Sequence, residues 1–101
     1  MLASPSQPIL PATRRYPRPV RKFIDEGTDD HPADEDKAAM NWVVAVNDDC
    51  DGCGDLRVLV TVEERDRKGE GLVAHLGADA TRRLRAALAT ALRELGEEPG
   101  L

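Results

Sequence analysis

Between Asn41 and Glu64 the chain alternates in a way that only extended structure can use. "NWVVAV" (41–46) and "LRVLVTVEE" (56–64) are β-branched runs bounded by turn residues, which predicts two strands. Strand side chains point to opposite faces with a period of two, so Leu56, Val58, Val60 and Val62 share one face. Trp42, Val44 and Val46 join them if the two runs pair as a hairpin. "LVAHL" (72–76), reached through the polar loop "RDRKGEG", predicts a third strand and adds Leu72, Ala74 and Leu76. The period then changes. In "GADATRRLRAALATALRELG" the residues Leu84, Ala87, Leu88, Ala91, Leu92 and Leu95 form one helical stripe, with Asp79 expected as N-cap and Gly96 as the stop. The expected fold is α+β: a small three-stranded antiparallel meander with one C-terminal amphipathic helix (β-β-β-α) over 41–96, followed by a tail, 97–101.

What precedes residue 41 has neither period. Residues 1–22 hold five bases (Arg14, Arg15, Arg18, Arg21, Lys22) and no acid, and residues 23–40 hold seven acids against Lys37. Six of the seven prolines fall before residue 33. Ordering a backbone costs about 1–2 kcal/mol per residue, and a segment with so little patterned apolar surface does not offset that. Residues 1–40 therefore read as an extended or disordered arm, basic over 14–22 and acidic over 25–36.

The other face of the expected sheet is not cleanly polar. It carries Val43, Ala45, Leu59 and Val73 beside Arg57, Thr61 and His75. One helix covers one face, and an antiparallel sheet normally turns polar groups outward on the other. With only 3% aromatic residues to fill a core, so small a domain gains much from association. Val43, Ala45, Leu59 and Val73 are accordingly candidate partner-binding residues, for a homodimer or a hetero-complex. The competing reading is that scattered surface apolar groups are ordinary, or that the arm folds back over them through Tyr16, Phe23 or Ile24.

The chemistry-bearing residues concentrate in "NDDCDGCGD" (47–55). Cys50 and Cys53 have the C-x-x-C-G form of a zinc knuckle, in which two thiolates converge on a turn. A complete zinc site needs more ligands, and His31 and His75 lack ligand spacing to the pair. Zinc would require the histidines to converge, or two chains to pool their cysteines. Redox use is disfavoured because Asp48, Asp49, Asp51 and Asp55 surround the thiols, and a disulfide would not last in a reducing compartment. Asn47, Asp49, Asp51 and Gly52 match four positions of a calcium loop, but Val58 stands where the bidentate glutamate belongs. The expectation is a structural hairpin loop and no cofactor, with zinc at Cys50 and Cys53 as the alternative.

Several classes drop out. The basic stretch "RRYPRPVRK" (14–22) could engage a phosphate backbone or an acidic surface, with Arg14, Arg15 and Arg18 as contact residues, but the acids that follow would compete for it. The net charge of −5 and the lack of a basic face disfavour nucleic acid. No segment is long and apolar enough to cross a membrane, and prolines interrupt the first residues where a secretion signal needs an apolar run. No nucleophile–base pair, phosphate loop or small-molecule site is evident, so the protein is not expected to be an enzyme. The eleven arginines against three lysines suggest a bacterial, high-GC source. The reading is a cytoplasmic, non-catalytic protein-interaction or regulatory module, alternatively a zinc-dependent binding protein built on the Cys50–Cys53 turn.

Overall fold

The computed structural model describes residues 20–32 and 34–100. The order is β1 (Arg21–Thr28), β2 (Met40–Asn47), β3 (Arg57–Glu64), β4 (Leu72–Leu76) and α1 (Ala78–Glu94). The strands form one antiparallel sheet in the order β1-β2-β3-β4. The α+β class and the closing helix are as expected, but the meander has four strands. The extra strand comes from 21–28, inside the segment read as an extended arm.

The register turns the alternation into rows. On the helix side Lys22, Val46, Val58 and Leu76 lie opposite one another, then Asp25, Val44, Val60 and Ala74, then Gly27, Trp42, Val62 and Leu72. On the other side the rows are Phe23, Ala45, Leu59, His75 and Glu26, Val43, Thr61, Val73. The hairpin register inferred from alternation therefore holds for all three strands that were expected.

β1 pairs with β2 for a different reason. Its register slips between Phe23 and Asp25, leaving Ile24 as a bulge, and almost every residue in it is exposed. Polar side chains hold both ends. At the start, the Val20 amide donates to Asp48 Oδ1 (3.1 Å), the Asp48 amide donates to the Val20 carbonyl (3.3 Å), and Arg21 forks onto Asp49 at 2.7 and 3.0 Å. Asp48 is 4% exposed, the only buried residue among those described. At the far end, the Asp29 amide donates to the Met40 carbonyl (2.8 Å), while the Asp29 carboxylate accepts from the Met40 amide (3.3 Å) and from Lys37 Nζ (3.2 Å). Between these ties Gly27 faces Trp42, whose indole lies across the glycine: a Cβ there would come within 2.6 Å of the ring. Carboxylates thus fasten β1 to β2: Asp48 and Asp49 from just beyond β2, and Asp29 from the acidic stretch that follows β1.

α1 begins one residue after β4 ends, with a single-residue link. Its N-cap is Gly77, with Asp79 in the first turn, where its charge favours the helix dipole; Asp79 is not the cap. Thr81 Oγ1 donates back to the Gly77 carbonyl at 2.7 Å. The helix ends as expected, with Leu95 as C-cap and Gly96 following at φ +80°. Because the link from β4 is so short, α1 stays over the end of the sheet it leaves and touches β3 and β4. The β1–β2 half of the same face has no helix over it among the described residues.

Candidate functional site

The first consequence of that placement concerns the core. Among the described residues no apolar side chain is buried. On the helix side Val62 (44%) and Leu72 (83%) are exposed, as are the stripe residues Leu84, Leu88 (59%) and Leu95. An open cleft of about 570 Å³ runs between α1 and the sheet, floored by Val44, Val58, Val60 and Leu76 and walled by Leu84, Leu88 and Leu92. A helix closing one face and leaving the other for a partner was expected. Instead both faces are open, and the helix side presents more apolar surface.

The opposite face carries the four candidate partner residues where alternation put them. Val43, Ala45, Leu59 and Val73 fall in two adjacent rows, and Phe23 from β1 extends the first of these. Phe23 (58% exposed) lengthens this strip and does not cover it. Polar rows frame it: Arg21, Asn47 and Arg57 on one side, Thr28, Asn41 and Glu63 on the other. Arg14, Arg15 and Arg18, together with Tyr16, lie outside the described residues.

The second feature is the β2–β3 connection, 48–56. The Gly54 amide donates to the Cys50 carbonyl (3.1 Å), closing a tight turn, and Gly54 has φ +67°, a left-handed conformation that glycine adopts without cost. Both cysteines are free and half-buried. Sequence spacing gave them no histidine, but strand pairing supplies one. His75 sits opposite Leu59 near the end of β4, beside the loop that leads into β3, and its Nδ1 is 3.4 Å from Cys53 Sγ. One ligand atom from each of Cys50, Cys53 and His75 lies within 4.8 Å of the others, the one group of this kind among the described residues. Of the two histidines that a zinc site would need to converge on the pair, His75 does so. His31 is instead bonded to the Pro32 carbonyl at 2.8 Å.

The thiol electrostatics also depart from the reading of a uniformly negative field. Cys50 is held below the ordinary thiol range, chiefly by hydrogen bonding from the Cys53 backbone amide, then by the Cys53 thiol and the Gly52 amide; Asp51 opposes this more weakly. Cys53 is pushed up, first because its thiol donates to Cys50, then by burial, with Arg57 working in the other direction. Local amide donors outweigh the more distant carboxylates. The calcium reading finds no support in the geometry: Asp49 is engaged by Arg21, and no carboxylate belongs to the three-ligand group.

The molecule is thus a four-stranded antiparallel sheet with one helix over half of one face and a Cys–Cys–His cluster at a strand end. Compared with protein-family models, with curated proteins and with solved structures, the chain matches none. No helix among the described residues is long and apolar enough to cross a membrane.

Proposed function

We propose that the protein is a small, non-catalytic protein-interaction module that works as a homodimer, each copy completing the core of the other through the helix-side cleft. The observation that carries this is the lack of any buried apolar side chain among the described residues. Burial of apolar area, at about 25 cal/mol per Å², is the main favourable contribution to folding, and among the described residues that gain is only partly realised. Charge supports a second copy as the occupant. α1 carries Arg82, Arg83, Arg85 and Arg93 against Asp79 and Glu94, while residues 20–64 hold thirteen acids against four bases. Two copies placing helix against the open β1–β2 half would bring the net-positive helix to a half whose face carries Lys22 beside Asp25 and whose flanking loops are acidic. The ionisable side chains lining the cleft are arginines alone, Arg82, Arg85 and Arg93, which suits docking better than proton-transfer chemistry.

The opposite strip, Val43, Ala45, Leu59 and Val73 with Phe23, has an apolar centre and polar margins, the composition of a protein-binding surface. In this reading it remains for a different protein, which makes the dimer a bivalent adaptor. The two free thiols fit a reducing, cytoplasmic setting.

Native mass spectrometry and light scattering test the dimer directly. The expected mass is twice the 11.0 kDa of the chain. Leu88→Glu, which places a charge on the cleft wall, should dissociate it, whereas Leu59→Glu on the opposite strip should leave the dimer mass unchanged. A cooperatively folded monomer at micromolar concentration overturns the homodimer. Dissociation by Leu59→Glu and not by Leu88→Glu would move the interface to the opposite face.

A further inference from the structure

The Cys50–Cys53–His75 cluster takes no part in the association proposed above, and its geometry asks for an occupant. A tetrahedral zinc ion with Zn–S of about 2.3 Å and Zn–N of about 2.0 Å holds a sulfur and a nitrogen about 3.5 Å apart, and two sulfurs about 3.8 Å apart. Cys53 Sγ and His75 Nδ1 are 3.4 Å apart, and all three ligand atoms fit within 4.8 Å. We propose that Cys50, Cys53 and His75 form a zinc-binding site with three protein ligands, assembled by the β3–β4 register.

Features of the 48–56 loop and of β4 converge on this assignment. The donor set, two thiols and an imidazole, matches the ligand preference of zinc among common divalent ions, whereas calcium and magnesium take oxygen. The turn presents backbone amides of Gly52 and Cys53 to the Cys50 sulfur, the arrangement that stabilises a thiolate in a metal knuckle. Asp51, an exposed acid within the turn that weighs against a reactive thiolate for redox chemistry, has the opposite effect on a divalent cation: its charge favours one nearby. No carboxylate among the described residues belongs to the ligand group, so the fourth tetrahedral position is open to solvent or an added ligand.

The position of His75 gives the site a consequence for the fold. His75 ends the row Phe23, Ala45, Leu59, His75, so a bound ion would clamp the 48–56 loop to β4 at the margin of the opposite strip. A strand held in the sheet by five residues would gain a cross-link to a loop more than twenty residues earlier in the chain.

The test uses the reduced full chain and added metal. Zinc titrated in competition with a chromophoric chelator should bind one ion per chain. Cobalt(II) in its place should show thiolate-to-metal charge-transfer bands and the intense visible bands of a tetrahedral ion. Cys50→Ser, Cys53→Ser and His75→Gln should each weaken binding at least tenfold, with circular dichroism confirming the fold of each variant. His75→Gln is the deciding variant, since its side chain is exposed and its loss leaves the sheet intact. Zinc affinity unchanged in His75→Gln overturns the assignment, as does a stoichiometry of one ion per two chains, which would mean pooled cysteines. Failure of the reduced chain to bind one equivalent of micromolar zinc overturns it too, leaving only a hydrogen-bonded Cys–His pair. Leu88→Glu, monomeric in the reading above, should bind zinc as the parent does, so the two proposals can fail separately.

Discussion

β3 and β4 are joined across three apolar rows and roofed by α1, whereas β1 lies along β2 with almost every side chain in water and a polar clasp at each end. The backbone ladder is of the same antiparallel kind in both halves. What differs is the information that specifies it. On the β3–β4 side a one-residue slip would turn Val58, Val60 and Val62 to the face away from the helix, so the apolar alternation sets the register even though these side chains are only partly covered. On the β1 side no such penalty exists, and the ladder tolerates a bulge at Ile24. There the register is pinned by Asp48 and Asp49 at one end and by Asp29, Lys37 and Met40 at the other. An edge strand with charged residues and a bulge is also a common way to keep sheet edges from pairing with other chains.

Removing β1 altogether would be the most forceful way to break that contrast. A chain beginning at Met40 would lose the β1–β2 ladder, expose the edge of β2 and uncover Trp42, and we expect a stability loss on the order of 3 kcal/mol together with aggregation. Chemical denaturation of the truncated and full chains reads the difference. An unchanged midpoint would mean that β1 rests on the sheet without supporting it.

Gly27→Ala should have the next largest effect. The added Cβ meets the Trp42 ring within 2.6 Å, so the indole must move or the strand must part, at a cost of about 1–3 kcal/mol. Trp42 is the sole tryptophan, so its fluorescence reports the displacement directly. Unshifted emission and unchanged stability would show that the indole does not depend on this glycine.

The smallest effect is that of acid on the far clasp. The Asp29 carboxyl sits below the usual carboxylate range, first because the Met40 amide donates to it, then through Lys37 and His31, with burial working in the opposite direction. A folded pKa below the unfolded value of about 3.9 means that the support is complete above that value and is lost as pH falls through the folded one. Amide exchange at Met40 and its neighbours should therefore accelerate in acid before the β3–β4 amides respond. Asp29→Asn should remove that pH dependence, and identical acid profiles for the two halves would dissolve the contrast.

Where burial carried the information, the sequence was sufficient to read it. The alternation of Leu56 through Val62 located β3, its facing residues in β2 and β4, and which side chains share a face; the leucine stripe located α1 and its stop at Gly96. β1 was not legible because "RKFIDEGT" offers no period, and because the carboxylates that tie its start, Asp48 and Asp49, lie 28 residues further along the chain. Cys50 and Cys53 were legible as a pair from their spacing. His75 could have been found by pairing "LVAHL" with "LRVLV" as an antiparallel hairpin, which puts the histidine beside the loop that holds them.

Local composition thus determined β2, β3, β4 and α1, because strand and helix periods are written residue by residue in apolar side chains. Only the tertiary structure decided that the unpatterned segment 21–28 becomes a strand, that one helix roofs half a face, and that two cysteines meet a histidine. Each of those depends on distances between residues far apart in sequence, set by strand register and by a one-residue link from β4 to α1. Polar contacts of that range leave no periodic trace in the chain.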